Sequence, residues 1–153
     1  MRIKTGFTLI ELLLVIAVIG VLSGVVLNVI DVDKTKGKAR DGVRISNMGK
    51  LVQALEAYCI AEEVCPTNAE VTAFSGKITT YVKEWPQAVG GYNYNYSRIT
   101  PDTFAVYVNA DRDAFPAGID CYKYTTDDSK VKICPNARCA GNANMTGCNE
   151  IAQ

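Results

Sequence analysis

Residues 6–19 read Gly-Phe-Thr-Leu-Ile-Glu-Leu-Leu-Leu-Val-Ile-Ala-Val-Ile, and this stretch decides the organisation of the chain. From Phe7 to Ile30 the sequence runs for 24 residues with Glu11 as its one ionisable side chain. A helix of that length measures about 36 Å, which is enough to span a bilayer. A carboxylate in such a segment costs about 2.5–3.5 kcal/mol at the membrane centre, so Glu11 calls for a partner or a purpose. The bland alternative is a glutamate tolerated at the interface.

The flanks of the apolar run give its orientation. Arg2 and Lys4 precede it and no acid does, so the positive-inside rule places Met1 in the cytoplasm and the chain after Ile30 outside. A secretory signal would carry small residues for cleavage after its apolar core. Here the small residue, Gly6, comes before the core. We therefore expect the apolar segment to remain in the mature protein, as a single pass through the inner membrane.

The basic leader, Gly6, Phe7 and Glu11, five residues past the glycine, resemble the prepilin leader of type IV pilins and type II secretion pseudopilins. The resemblance covers residues 1–30. It implies that a prepilin peptidase cuts between Gly6 and Phe7 and methylates the new amino group. It also implies that a membrane-embedded platform assembles the subunits into a helical filament. There Glu11 would meet the terminal amine of a neighbouring copy, because opposite charges attract strongly once both are desolvated.

The same resemblance implies an α+β fold with a long N-terminal helix and a small antiparallel sheet packed on the C-terminal half of that helix. The expected divisions are a leader at 1–6, a filament-core helix at 7–30, its amphipathic continuation at 31–63, and a β-rich head at 64–153. The run lacks the proline that is common in the family, so we expect no sharp proline kink. Gly20 and Ser23-Gly24 are the positions where the helix could melt locally. Unbroken from Thr8 to Ala61, the helix would be about 80 Å long.

The segment after the apolar run is polar, and Gly37 and Gly42 weaken its helix. Apolar residues then recur at steps of three and four, which predicts a helix that packs one face on the head and ends near Glu63. Its stripe consists of Ile45, Met48, Val52, Leu55 and Cys59, widened by Leu51 and Tyr58.

Strands are predicted downstream of Gly90-Gly91. Tyr92, Tyr94 and Tyr96 alternate with asparagines, which puts three rings on one face of a strand. We expect them to pack on the stem helix, with glycan or base stacking as the alternative. The further expected strands are 104–108 and a closing hairpin of 119–125 with 130–134.

Charge is balanced overall but uneven along the chain. Residues 1–50 carry eight Lys and Arg against four Asp and Glu, and residues 51–153 carry eight against twelve, giving +4 and −4. A solvated helix face is the simple interpretation, and pairing with the acidic head of a neighbouring subunit is the alternative. We expect no specific nucleic-acid partner, because aromatic interleaving and a large net charge are missing. Much of the basic surplus comes from Lys34, Lys36, Lys38, Arg40 and Arg44.

The sequence lacks the residues and motifs on which several common enzyme classes depend. There is no histidine, no glycine-rich phosphate loop and no Gly-x-Ser-x-Gly, so we expect neither an enzyme nor a cofactor. A weak calcium candidate competes with a plain acidic turn, because Ala114 replaces the glycine that a calcium loop requires. Its ligands would be Asn109, Asp111, Asp113 and Asp120.

Six cysteines in an exported head indicate disulfides rather than zinc. A hairpin turning at Asp127-Asp128 puts positions 121 and 134 opposite each other, within disulfide range, which predicts Cys121–Cys134. Cys59–Cys65 can close a short loop, and Cys139–Cys148 then remains. The competing scheme ties the tail to the sheet through Cys134–Cys148 or Cys121–Cys148.

The sequence thus favours a type IV pilin-like subunit, membrane-bound before assembly and part of a surface filament after it. The alternative within the class is a pseudopilin of type II secretion or a DNA-uptake filament. The alternative from another class is a membrane-tethered binding module that does not polymerise.

Overall fold

The computed structural model describes residues 7–29, 31–111, 120–135, 138–139 and 145–151, with the backbone alone for 25–29. Within these residues the chain forms four helices followed by five strands. The helices are α1 Leu9–Val29, α2 Val32–Glu62, α3 Asn68–Ala73 and α4 Ile78–Tyr81. The strands are β1 Asn95–Arg98, β2 Phe104–Asn109, β3 Cys121–Thr125, β4 Val131–Cys134 and β5 Asn149–Glu150.

The stem consists of two helices, and the junction between them is at Asp31. This residue has an extended conformation, and its Oδ1 accepts a hydrogen bond from the backbone N of Lys34 at 3.0 Å. An aspartate in this position satisfies a free N–H group at a helix start, so α2 begins anew there. The stem is therefore not one unbroken helix from Thr8 to Ala61. Gly20 and Ser23-Gly24 do not melt α1, which runs through all three.

Helix α2 carries the head. Gly37 and Gly42 lie inside it rather than ending it, because Gly37 is buried and tertiary contacts outweigh the low helix propensity of glycine. The expected apolar stripe is confirmed, and α2 ends at Glu62, with Glu63 in the left-handed conformation at φ 56°. The stripe residues in the core are Met48, Leu51, Val52, Leu55 and Tyr58, with Ile45 and Cys59 at its edge.

The five strands form one antiparallel sheet in the order β1-β2-β3-β4-β5. Phe104, Val106 and Val108 alternate along β2, are fully buried, and belong to the same core as the stripe of α2. Side chains two residues apart share a sheet face, so this face of β2 is the one that packs on the helix. The expected α+β fold is therefore confirmed, with a small antiparallel sheet packed on the C-terminal half of a long N-terminal helical stem.

The tyrosine segment differs in part from its prediction. Regular pairing starts at Asn95 rather than Tyr92, because Gly90 and Gly91 both adopt positive φ and a single bridge joins Gln87 to Asn93 ahead of the strand. The predicted packing is nevertheless present. The hydroxyl of Tyr94 donates to the backbone oxygen of Arg44 in α2 at 3.1 Å.

The β3–β4 hairpin has the predicted register, with Cys121 opposite Cys134, yet these two cysteines are not bonded to each other. Cys121 is bonded to Cys139 and Cys134 to Cys148, so the predicted Cys121–Cys134 and Cys139–Cys148 pairs are wrong. Both strand cysteines are buried together with Cys139, next to Met145 and Cys148 of the tail. The tail therefore covers the sheet face opposite the helix and supplies a sulfur to each strand.

The remaining bond, Cys59–Cys65, is the expected one. It links the last turn of α2 to Cys65, in the segment that leads from the helix into the head. The backbone N of Cys65 also donates to the backbone oxygen of Pro101 at 2.7 Å. The end of the stem is thus fixed covalently and by hydrogen bonding to the turn between β1 and β2.

Candidate functional site

The first functional region is the start of α1, where Thr8 and Glu11 form a reciprocal cap. The backbone N and the Oγ1 of Thr8 donate to Oε2 of Glu11 at 2.9 and 2.8 Å, and the Glu11 N donates to Thr8 Oγ1 at 3.4 Å. This is the capping box that Thr-x-x-Glu encodes. Sequence analysis missed this capping box. It considered Glu11 only as the one carboxylate of an apolar run. Both bonds to the carboxylate use Oε2, so capping occupies one of its two oxygens.

Helix α1 presents apolar side chains all round. Every described side chain from residue 7 to 24 is exposed, with Phe7 at 79% and Leu9 at 81%. A helix that is apolar on all faces is ordinarily buried in other protein or in lipid. Large exposed apolar patches mark interaction surfaces. Helix α1 therefore needs an apolar environment that the described part of its own chain does not supply. The Glu11 carboxylate lies in its first turn.

Gly6, the expected processing residue, lies outside the described residues, and Phe7 is the first residue described. Within the described part of the chain, no helix has the length and the apolar character that crossing a membrane requires.

A second region, the Arg44 cluster, consists of Arg40, Asp41, Arg44 and Asp111. The guanidinium of Arg44 is fully buried and donates to Asp41 Oδ1 at 2.6 Å and Asp111 Oδ2 at 3.1 Å. Arg40 makes a two-pronged contact with Asp111, at 2.7 Å to Oδ2 and 2.9 Å to Oδ1. Two cations thus face two carboxylates, which is the condition under which buried charges are tolerated.

The Arg44 cluster connects α2 to the loop that precedes the sheet. Arg44 donates two hydrogen bonds to the backbone oxygen of Val89, at 2.6 and 3.1 Å, and its guanidinium carbon lies 4.5 Å from the centre of the Tyr92 ring. Gly90 has φ +88°, and a Cβ there would lie 2.8 Å from Arg44 Nη2. A side chain at this position would therefore have to displace the guanidinium, which hydrogen bonds to Asp41, Asp111 and Val89 hold in place.

The cluster also connects α2 to the sheet. The backbone N of Asp111, just past β2, donates to Asp41 at 3.0 and 3.2 Å, and the hydroxyl of Tyr122 in β3 donates to Asp41 Oδ2 at 3.1 Å. Burial, and next the Asp41 carboxylate, raise the pKa of the Tyr122 hydroxyl, so it stays protonated and remains a donor. Helix, loop and sheet thus meet at one buried ionic group.

The calcium candidate is not assembled by these residues. Asp111 is held by two guanidinium groups, an environment opposite to that of a cation site. Asn109 lies in β2, the backbone oxygen of Asp120 accepts from the Ala110 N at 2.8 Å, and Asp113 lies outside the described residues. Among the described residues, no group of three or more His, Cys, Asp or Glu side chains is placed to hold a metal ion.

The basic segment of α2 also needs correction, because Arg40 and Arg44 do not belong to a solvated face. Arg44 is buried and the side chain of Arg40 is 30% exposed and paired with Asp111. Lys34, Lys36 and Lys38 are exposed. The Asp41–Arg44 spacing of three residues is a local signal for an ion pair on a helix, but it does not show that the pair is buried. That depends on Val89 and Asp111, which lie about 45 and 70 positions away in the chain.

Comparison with known proteins supports the reading of the N-terminus. Residues 1–27 match the family model of the prokaryotic N-terminal methylation motif, which is the leader of type IV pilins and pseudopilins. The predicted resemblance is therefore confirmed for this segment. Such a leader implies processing by a prepilin peptidase and assembly into filaments. Comparison with curated proteins finds no match.

The first prediction concerns Arg44→Met, which keeps an aliphatic body and removes the charge. Because Asp41 and Asp111 then lose a buried partner, we expect the free energy of unfolding to fall by about 3–5 kcal/mol. The measurement is denaturant unfolding of the full chain in detergent, with disulfides intact. Lys38→Met, at an exposed position of the same helix, should change it by less than about 0.5 kcal/mol. Equal stability of the two variants would contradict the conclusion that the Arg44 cluster holds helix, loop and sheet together.

The second prediction compares Gly90→Ala with Gly91→Ala. Both glycines have positive φ, so each alanine should cost about 1–2 kcal/mol of backbone strain. No atom lies within 4 Å of a Cβ at Gly91, whereas the Gly90 Cβ meets Arg44. We therefore expect Gly90→Ala to cost at least about 1 kcal/mol more, by the same unfolding measurement. Indistinguishable midpoints would show that the loop adjusts without disturbing the guanidinium.

Proposed function

We propose that this protein is a type IV pilin-like structural subunit that is cleaved after Gly6, methylated on Phe7 and polymerised through α1. The observation that carries the proposal is the coincidence of two features in one segment. Residues 1–27 match the methylation motif, and the helix that follows the leader exposes apolar side chains on every face. Burial of such faces against other copies would supply the main driving force for a filament.

The proposal gives Glu11 two successive tasks. Before assembly its Oε2 caps its own helix through Thr8. After cleavage, the carboxylate takes the amino group of Phe7 from a neighbouring copy as a charged partner. A carboxylate and an ammonium group buried together in an apolar core attract strongly, whereas either one alone would be costly to bury. The pair would thus set the stagger between adjacent subunits.

Membrane anchoring before assembly belongs to the same proposal, and its support is the leader motif. The N-terminus lies in the cytoplasm, the head lies outside the inner membrane, and the assembled filament lies at the cell surface. The family that carries the motif is structural rather than enzymatic, which favours mechanical assembly over catalysis. Two alternatives remain for the experiments below. The first is a pseudopilin of type II secretion or of a DNA-uptake filament, and the second is a membrane-tethered module that does not polymerise.

The third prediction concerns processing. Gly6→Leu should block cleavage, because the peptidase must bring the backbone before Phe7 close to its catalytic carboxylates and a branched side chain obstructs that approach. We expect uncleaved full-length protein in membranes and no sheared filaments, measured by mass spectrometry of the N-terminus. Gly20→Leu, which adds the same side chain inside α1, should be cleaved normally. Normal cleavage of Gly6→Leu would rule out this leader assignment.

The fourth prediction separates charge from capping at Glu11. Glu11→Val removes both, Glu11→Gln keeps a capping residue without charge, and Thr8→Val breaks the cap but keeps the charge. If pairing with the amine drives assembly, both Glu11 variants should insert normally yet give at least about tenfold fewer sheared filaments, while Thr8→Val assembles. Wild-type yield from Glu11→Gln would show that capping, not charge, is what the filament uses.

A further inference from the structure

Helix α2 has an exposed flank, here called the lysine stripe, formed by Val32, Lys36, Ala39 and Val43. These residues follow one another at steps of four, three and four, so they lie along one side of the helix. Val32 is 50% exposed and Val43 46%, and Lys36 and Ala39 are exposed as well. The stripe is therefore an apolar surface with a single ammonium group in its middle.

At the other end of α2 lies an open groove of about 470 Å³ between the helix and the sheet. Its apolar part includes Phe104 and Ile60, and Ile60 is 81% exposed. Its described lining contains three carboxylates and no basic side chain. The carboxylates belong to Glu56, Glu63 and Asp102. This acidic groove is thus the chemical complement of the lysine stripe, with an apolar contact and charge of the opposite sign.

The two surfaces lie on opposite flanks of α2. Twenty residues separate Lys36 from Glu56, and at about 100° per residue this places them about 200° apart around the helix axis. Glu63 directly follows the end of the helix and lines the same groove as Glu56. The face between them is the buried one, with Met48 and Leu55 fully covered by the sheet. A single copy cannot bring its own stripe to its own groove.

We propose that the acidic groove of one copy receives the lysine stripe of a second copy. Lys36 would lie among the three carboxylates, and Ile60 would pack against Val43. This inference rests on the assembly proposed above and names a contact between stems outside the α1 core. Because two different surfaces of the same chain meet, the contact is heterologous and continues from copy to copy, as an open filament requires.

The charges around the stripe favour this pairing. Asp41 is buried with Arg44, and Arg40 is paired with Asp111, so these groups are used within the chain. Lys36 is the charge of the stripe itself, because Lys34 and Lys38 lie about 200° from it around the helix axis. Complementary potentials of this kind set register and partner choice more than affinity.

The decisive experiment is zero-length carbodiimide coupling, which joins an ammonium and a carboxylate only when they touch. Lys36 lies near the start of α2 and Glu63 directly follows its end, about 40 Å away along the helix, so an amide between them must connect two copies. We expect Lys36 coupled to Glu63, Glu56 or Asp102 in peptide maps of sheared filaments and of membranes. Coupling confined to other residues would overturn the inference.

A charge-reversal cycle gives a second test. Lys36→Glu and Glu63→Lys alone should each lower filament yield by at least about tenfold, because a like-charge contact recurs at every subunit. The double variant should recover to within about twofold of wild type. Lys83→Glu and Glu84→Lys, at exposed positions outside the stripe and outside the described lining of the groove, serve as controls. Single reversals that match these controls, or a double variant no better than the singles, would refute the pairing.

The two proposals fail in different ways. If the wild-type chain makes no filaments, the proposed function fails, and the coupling of Lys36 is then decided on membranes alone. If filaments form and Lys36 is not coupled to the groove, assembly stands and the stem contact is wrong.

Discussion

The buried guanidinium of Arg44 is the interaction on which the arrangement of head and stem depends. Apolar packing between α2 and the sheet is non-directional and would tolerate sliding or rotation. Arg44 is directional, because its donors bond two carboxylates and the Val89 oxygen at once. Removing one partner of such a group leaves an uncompensated buried charge. The cluster therefore fixes which side of α2 the sheet covers, and with it the places of the lysine stripe and the acidic groove.

The two stem helices differ in what surrounds them. The apolar stripe of α2 is covered by the sheet of its own chain, so this helix is complete within one copy. The described side chains of α1 are all exposed, so its apolar surface requires lipid or other protein around it. The capping box at Thr8 and Glu11 lets α1 begin as an ordered helix before any partner is present. The start of α1 is thus ordered by contacts within the chain.

Local patterns in the sequence predict much of this fold. The spacing of apolar residues predicts the stripe of α2, and the turn at Asp127-Asp128 predicts the hairpin register, because both depend on neighbours along the chain. The disulfides could not be read from that register. It states which strand positions face each other, whereas the bonding partners came from a tail that covers the sheet. The burial of Arg44 was likewise not predictable, since it depends on Val89 and Asp111, which are distant in sequence, whereas Asp41 is three residues away. Asp31 is of a residue type that favours helix N-caps, a signal that the prediction of a continuous stem helix overlooks.

The crossed disulfides give the head a mechanical property. The bonds Cys121–Cys139 and Cys134–Cys148 overlap along the chain. The shortest covalent path from residue 121 to residue 148 therefore crosses the first bond, returns along the five residues from 139 to 134, and crosses the second bond, and a force between the two ends acts along this path. Five extended residues span about 18 Å, whereas the whole segment without its bonds would stretch to about 95 Å. The C-terminal part of the head can therefore lose its hydrogen bonds under tension and still lengthen little. A head built in this way acts as a short tether rather than as a spring.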